Sequence, residues 1–317
     1  MTGSASVAPE TPPPPRDEPP RVQTSDEMFA HVSTGVDLCY RTFGDPADEP
    51  MLLLMGLASP LIWWDPTFCS MLAERGYFVI TPDNRDVGLS SKLSGRVTRR
   101  MLVRAFAGLP VPAAYSMSDM AEDELALLDH LGIESAHVVG VSMGGMIAQT
   151  MAIEHPERVR SLTSIMSTTG RRLVGWQNPR LLPALLRPLA PGRDAYADDS
   201  VMMWKLIGSP GYPRPEQDTR DVAYQTYDRG ISPAGTLRQM IAILTQPNRE
   251  KRLRDVRVPT LVIHGLSDRM VHVSGGRATA AAIPGAELIL VDGMGHDLPP
   301  ELFRTFADAI HRTASRA

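Results

Sequence analysis

Hydrophobic residues in this chain gather into short runs of strand length, and between those runs they recur at helical spacing. From Met28 to Phe43 two alternating runs flank Ser33-Thr34-Gly35, a pattern that predicts a β-hairpin. Met51 to Leu54 reads as a buried strand, Pro66 to Arg75 as a helix that stops at Gly76, and Tyr77 to Thr81 as the next strand. Ser116-Met117-Ser118-Asp119 has the form of a capping box ahead of a helix over Met120 to Leu131, which Gly132 ends. A strand follows from Ala136, and the helix after it closes at His155-Pro156. Ser161 to Met166, Pro259 to His264 and Glu287 to Val291 supply three more strands. Strand and helix in alternation predict an α/β fold, a mostly parallel sheet flanked by helices on both faces.

The rhythm breaks between Thr169 and Glu250, a proline-rich stretch without strand runs that carries Trp176, Trp204 and the pair Met202-Met203. An insertion at this point leaves the sheet where open α/β sheets bind ligands, beyond the carboxyl ends of the strands. It is therefore expected to be a helical cap, inserted after the strand that follows the helix closing at His155. The Pro-, Ser- and charge-rich start, with Pro12 to Pro15 in a row, cannot bury enough apolar surface to order itself. The expected organisation is a flexible tail over 1–26, an α/β core over 27–168 and 251–317, and a cap over 169–250.

The chemistry centres on Ala136 to Met151, AHVVGVSMGGMIAQTM, where a β-branched run passes into apolar residues at helical spacing. Gly140-Val141-Ser142-Met143-Gly144 sits at that junction as a G-x-S-x-G pentapeptide, the pattern of a nucleophile elbow. A strained turn there requires small neighbours on both sides of the serine, and it delivers the hydroxyl to a helix N-terminus, where free N–H groups favour negative charge. A serine nucleophile needs a base, and the base needs an orienting acid. After the strand Pro259 to His264 the chain turns at Gly265-Leu266-Ser267-Asp268; after Glu287 to Val291 it turns at Gly293-Met294-Gly295-His296-Asp297. Both loops leave the sheet edge that carries Ser142, so Asp268 is the expected acid and His296 the expected base.

Of the eight histidines, His137 lies within a strand and His155 ends a helix. His311 falls in the terminal helix, and all three read as structural. His264 is placed to brace the acid loop. The backbone amides of Leu57 and Met143 are the expected oxyanion donors, with Gly56 allowing the loop Met55-Gly56-Leu57-Ala58-Ser59 to approach the substrate. Trp63, Trp64, Met202 and Trp204 are candidate pocket walls, core packing being the competing reading for the first two. Pro82 to Ser90 reads as a structural loop, with Arg85 and an aspartate bracing the elbow.

Composition narrows the class. The 317 residues are 43% hydrophobic and 21% charged, with a net charge of −4 and no basic block, which argues against nucleic acid as a partner. Met51 to Trp64 is too short and too broken to span a membrane. The start lacks a basic segment followed by an apolar one, so no signal peptide is read and a cytoplasmic location follows by default. Cys39 and Cys69 suggest core filler, not a disulfide framework.

MLLLMGLAS, PDNRDVGLSS, GVSMGGMIAQ, PTLVIHGLSD and GMGHDLP together resemble the α/β-hydrolase superfamily, from about Met28 to the C-terminus. With YDRGISPAGTLRQM, Tyr227 to Met240, the chain is most similar to a bacterial subgroup of aclacinomycin methylesterase-like enzymes and mycobacterial lipases and esterases. The resemblance implies Ser142, Asp268 and His296 as triad and Leu57 and Met143 as oxyanion donors. Many members of the superfamily carry His-Gly where this chain has Met55-Gly56; the subgroup shares the change. The expected activity is hydrolysis of a carboxylic ester of a fairly apolar small molecule or lipid through an acyl-enzyme, with no metal or organic cofactor. Thioesterase, C–C bond hydrolase and perhydrolase chemistry use the same triad, and a slow-turnover ligand-binding protein keeps the same fold. Haloalkane dehalogenases and epoxide hydrolases need a carboxylate where Ser142 stands.

Overall fold

The computed structural model describes residues 22–181, 184 and 191–317. Residues 1–21 of the expected tail, and 182, 183 and 185–190 of the expected cap, lie outside the described residues. Eight strands form one sheet: β1 (Met28–His31), β2 (Asp37–Phe43), β3 (Glu49–Leu54), β4 (Tyr77–Pro82), β5 (Ala136–Val141), β6 (Val159–Ile165), β7 (Thr260–Gly265) and β8 (Glu287–Val291). Their order is β1-β2-β4-β3-β5-β6-β7-β8. The hairpin strands β1 and β2 pair antiparallel, β2 runs antiparallel to β4, and every later pair is parallel.

Successive residues of the central strands serve opposite faces, as a period of two requires. Leu52, Leu54, Phe78, Ile80 and Val138 join one core with α3 (Met117–His130), α4 (Met143–Glu154) and α9 (Ser274–Ala282). Met51, Leu53, Val79, Val139 and Val141 join the other with α1 (Pro66–Ala73) and α10 (Phe303–Ala314). The sheet is thus buried on both faces, which is why its strands read as continuous apolar runs. Ser116 is itself the N-cap of α3, and its reciprocal bonds with Asp119 start the helix at Met117, three residues before the expected start. Cys39 and Cys69 are both buried free thiols.

Residues 22–26, expected to belong to a flexible tail, are held against the sheet. Ser25 N donates to Thr42 O at 3.0 Å, and Gly44 N donates to Gln23 O at 2.8 Å. Backbone pairing is indifferent to side-chain polarity, so a polar segment can still cover a sheet edge. One further helix, α2 (Arg99–Phe106), was not legible in the hydrophobic pattern.

Between β6 and β7 the described residues form α5 (Arg193–Ile207), α6 (Glu216–Asp228), α7 (Pro233–Thr245) and the single turn α8 (Glu250–Leu253). Two buried ion pairs tie this segment to the loop after β4. Asp83 accepts from Arg229 Nη2 at 2.6 Å, and also from the amides of Leu61 (2.6 Å) and Leu89 (2.8 Å). Asp86 receives Arg238 in a two-pronged contact at 2.6 and 2.8 Å, and Tyr115 Oη at 2.7 Å. Arg85, expected to brace the elbow, instead grips Asp123 on α3 at 2.5 and 2.6 Å and donates to Asp119 O at 3.0 Å. The carboxylate within its reach stands on α3, and α4 presents none in its first turn. Among the described residues no helix is long and apolar enough to cross a membrane.

Candidate active site

The order of the strands reverses between β3 and β5, which lie side by side and parallel, so the loops leaving both carboxyl ends meet at one point. Ser142 stands there between β5 and α4, with φ 54° and ψ −114°, a left-handed conformation that costs energy for any residue with a Cβ. Packing enforces it. A Cβ on Gly140 would lie 2.2 Å from Gly144 O, and a Cβ on Gly144 would lie 2.1 Å from Leu54 O. Strand, helix and the β3 end are in backbone contact, and only glycine fits. Ser142 N donates to Ile165 O at 2.9 Å and Ser167 Oγ donates to Ser142 O at 2.7 Å, fixing both sides of the turn to β6 and its loop.

Ser142 Oγ lies 3.0 Å from His296 Nε2, and His296 Nδ1 lies 2.8 Å from Asp268 Oδ2. A carboxylate only accepts, so Nδ1–H donates to Asp268 and Nε2 is left free to accept the serine proton. Asp268 Oδ1 accepts from the amides of Met270 (2.8 Å) and Val271 (2.9 Å). Burial pushes the Asp268 carboxyl up, but the charge of His296 and hydrogen bonds from His264 and His296 outweigh it and hold the group at about 2. His264 Nε2 donates to Val271 O at 2.8 Å and lies 3.5 Å from Asp268 Oδ2, so it fixes the loop that carries Asp268. Asp297, next to His296, faces away and accepts from Ser209 Oγ.

A Cβ on Gly56 would sit 3.3 Å from Ser142 Cβ, so the loop after β3 passes directly over the serine. Among the described residues neither Leu57 N–H nor Met143 N–H has an acceptor within the protein. Met143 is the first residue of α4, where amides are left unpaired by the helix itself.

Three residues that sequence reasoning missed support these loops. Buried Gln239 on α7 accepts from Ala58 N through Oε1 at 2.9 Å and donates from Nε2 to Arg85 O at 2.9 Å. Asn84 Nδ2 donates to Met55 O at 3.1 Å. Ser209 Oγ accepts from Gly295 N at 2.8 Å, while His296 N donates to Ile207 O at 2.8 Å. The end of α5 therefore carries the His296 loop, and α7 carries the loop over the serine. The only sequence signal for Gln239 was its position inside the Tyr227–Met240 stretch.

Of the four candidate pocket walls, Trp63 and Trp204 stack on each other at 4.9 Å, joining the loop after β3 to α5. Trp63 Nε1 also donates to Thr226 Oγ1 on α6 at 3.1 Å. Met202 is half-buried on α5. Trp64 is not a pocket wall: it is 2% exposed and packs on Phe68 within the core shared with α1, because its extended backbone at the end of the loop points it inward. His137, His155 and His311 bond Ser161, Glu122 and Tyr77 respectively, away from Ser142.

The chain belongs to the α/β hydrolase fold family, whose model matches residues 49–301. Among its relatives, the rhodomycin D methylesterase DauP of Streptomyces sp. (strain C5) is 30% identical over 315 residues, covering 92% of this chain and 97% of that protein. The rhodomycin D methylesterase DnrP of Streptomyces peucetius is 29% identical, over the same shares of the two chains. The enol-lactonase from Burkholderia xenovorans LB400 has the same fold, with a TM-score of 0.70 over 91% of this chain and all of that one, at 21% identity.

Proposed function

We propose that the chain is a serine hydrolase that cleaves a carboxylic ester of a fairly apolar small molecule or lipid through an acyl-enzyme. The observation that carries this reading is the unbroken relay from Ser142 Oγ through His296 to Asp268, at 3.0 and 2.8 Å. Ser142 attacks the ester carbonyl as His296 Nε2 takes its proton, and Asp268 stabilises the imidazolium that forms. The developing oxyanion is held by the amides of Leu57 and Met143. His296 then protonates the leaving alcohol, and in the second half-reaction it takes a proton from the water that releases the acid.

The segment 169–250 acts as the cap of this site. Its support is twofold: α5 and α7 bond the base loop and the loop over the serine, and the Trp63–Trp204 stack offers an aromatic wall between core and cap. That wall favours an apolar acyl or alcohol group. The methylesterase relatives support an ester as the bond cleaved. Hydrolysis of p-nitrophenyl esters from acetate to palmitate, wild type beside Ser142→Ala, tests the reading. Release that depends on Ser142, with an optimum above the shortest chain, is expected. Absence of release from every ester by folded protein, or release that survives Ser142→Ala, would overturn it.

A further inference from the structure

The acidic residues of this chain are distributed unevenly. No Asp or Glu occurs between Asp86 and Asp119, between Glu157 and Asp194, or between Asp228 and Glu250, although the whole chain carries 36 acidic residues against 32 Lys and Arg. The three acid-free stretches follow β4, β6 and α6, and they converge. Helix α2 packs against α7, and Arg172 Nη2 donates to Phe106 O at the end of α2 at 2.9 Å. Arg96, Arg99, Arg100 and Arg172 are exposed there. Among the described residues none of the four pairs with a carboxylate.

Apolar side chains stand in the same patch: Leu173 is 85% exposed, Val103 69%, Leu109 47% and Phe106 41%. Helix stability does not explain the charges, because Arg99 and Arg100 occupy the first turn of α2, the end where a helix dipole favours anions. A short helix with exposed apolar residues interleaved with arginines, free of acids, matches a surface that is negatively charged outside and apolar beneath. Nucleic acid satisfies the arginines but gives Leu173 and Val103 nothing to enter.

We propose that α2 and the turn at Arg172–Leu173 form a docking face for an anionic lipid bilayer, with Arg96, Arg99, Arg100 and Arg172 at the headgroups and Val103, Phe106, Leu109 and Leu173 entering the acyl boundary; Arg171 next to them is taken up by Glu250 at 2.9 Å. The face lies on loops that leave the sheet edge bearing Ser142, so docking brings that edge to the lipid surface.

The test is co-sedimentation of the full chain with vesicles of phosphatidylcholine alone, or mixed equally with phosphatidylglycerol, at low and high salt. Wild type is expected to sediment with the mixed vesicles, to be released by salt, and to ignore pure phosphatidylcholine. Val103→Asp/Leu173→Asp and Arg99→Gln/Arg100→Gln are each expected to lower binding at least tenfold, while p-nitrophenyl butyrate hydrolysis and the circular dichroism spectrum stay unchanged. Failure of wild type to bind mixed vesicles, or equal binding by both variants, overturns the proposal. So does sedimentation equilibrium showing a dimer that Val103→Asp/Leu173→Asp dissolves, or binding of duplex DNA in place of vesicles.

Discussion

Gln239 is the point at which the segment after β6 reaches the loop over Ser142, and Gln239→Leu isolates that contact at nearly constant volume. The substitution removes a half-buried hydrogen bond from Ala58 N and a buried one to Arg85 O, both at 2.9 Å. Leaving the buried Arg85 O without a partner costs about 1–3 kcal/mol, and the half-buried Ala58 N adds about 1 kcal/mol, so a stability loss of about 2–4 kcal/mol is expected. The consequence for rate comes from geometry. Ala58 holds φ 56°, a left-handed conformation, and it adjoins Leu57. Once its amide is released, the loop is expected to relax and carry Leu57 N–H away from its proposed oxyanion position. Complete removal of one oxyanion donor costs about 2.7–4 kcal/mol. A displaced donor should forfeit part of that, which corresponds to a fall in kcat of roughly tenfold to a hundredfold. KM should change by less than about threefold, because ground-state binding does not use the donor. Gln239→Glu keeps an acceptor for Ala58 N and should recover part of kcat. The assay is steady-state hydrolysis of p-nitrophenyl butyrate beside thermal unfolding. A Gln239→Leu protein with lowered Tm but unchanged kcat would show that the loop holds its shape without Gln239.

Three further outcomes follow from the same structure. Gly144→Ala should lose both stability and esterase activity, because its Cβ would lie 2.1 Å from Leu54 O; at Gly76 an added Cβ meets nothing within 4 Å, and Gly76→Ala should cost only its left-handed φ, about 1 kcal/mol. Equal losses at the two sites would show that backbone contact at the elbow is not what excludes a side chain. Arg238→Met should destabilise by about 3–5 kcal/mol in urea unfolding, since Asp86 would be left buried without its cation, and adding Asp86→Asn should restore part of the loss; strict additivity would contradict the pairing. Glu124 is fully buried with neither carboxylate oxygen bonded, and burial, reinforced by Asp123, raises its pKa well above 4.5. The folded state thus keeps this proton where the unfolded state releases it. The contribution to stability is full below about pH 4.5 and declines as pH rises. Thermal unfolding of Glu124→Gln from pH 4 to 8 should gain on wild type with rising pH, and parallel curves would exclude the effect.

The sheet was legible because both of its faces are buried, which turns each strand into an apolar run bounded by glycine and proline. Ser142, Asp268 and His296 could be nominated from sequence for a related reason: each follows such a run in a glycine-bearing loop, and parallel strands bring their carboxyl ends to one edge. Long-range partners left no periodic trace. Nothing local marks Arg229 and Arg238 as ligands of Asp83 and Asp86, or Gln239 as the support of Ala58, since each pairing closes a loop of more than a hundred residues. Helix α2 escaped because its exposed Val103 and Phe106 do not follow the inward stripe that marks a core helix. Adjacent tryptophans looked alike in sequence, yet Trp64 turns into the core while Trp63 meets Trp204, a difference of one residue at a turn.

Whether Ser142 is a nucleophile activated by His296 can be read from its reaction with a p-nitrophenyl alkylphosphonate. Attack by Ser142 forms the serine–phosphonate bond and expels one p-nitrophenolate, and the tetrahedral adduct remains in place of the acyl-enzyme. One equivalent of p-nitrophenolate, one added phosphonate per chain by intact mass, and the label on the peptide containing Ser142 are expected. Neither release nor label is expected for Ser142→Ala, and labelling should be strongly slowed in His296→Ala. Ester turnover by a chain that takes up no phosphonate, or that takes it up at another residue, would contradict the assignment.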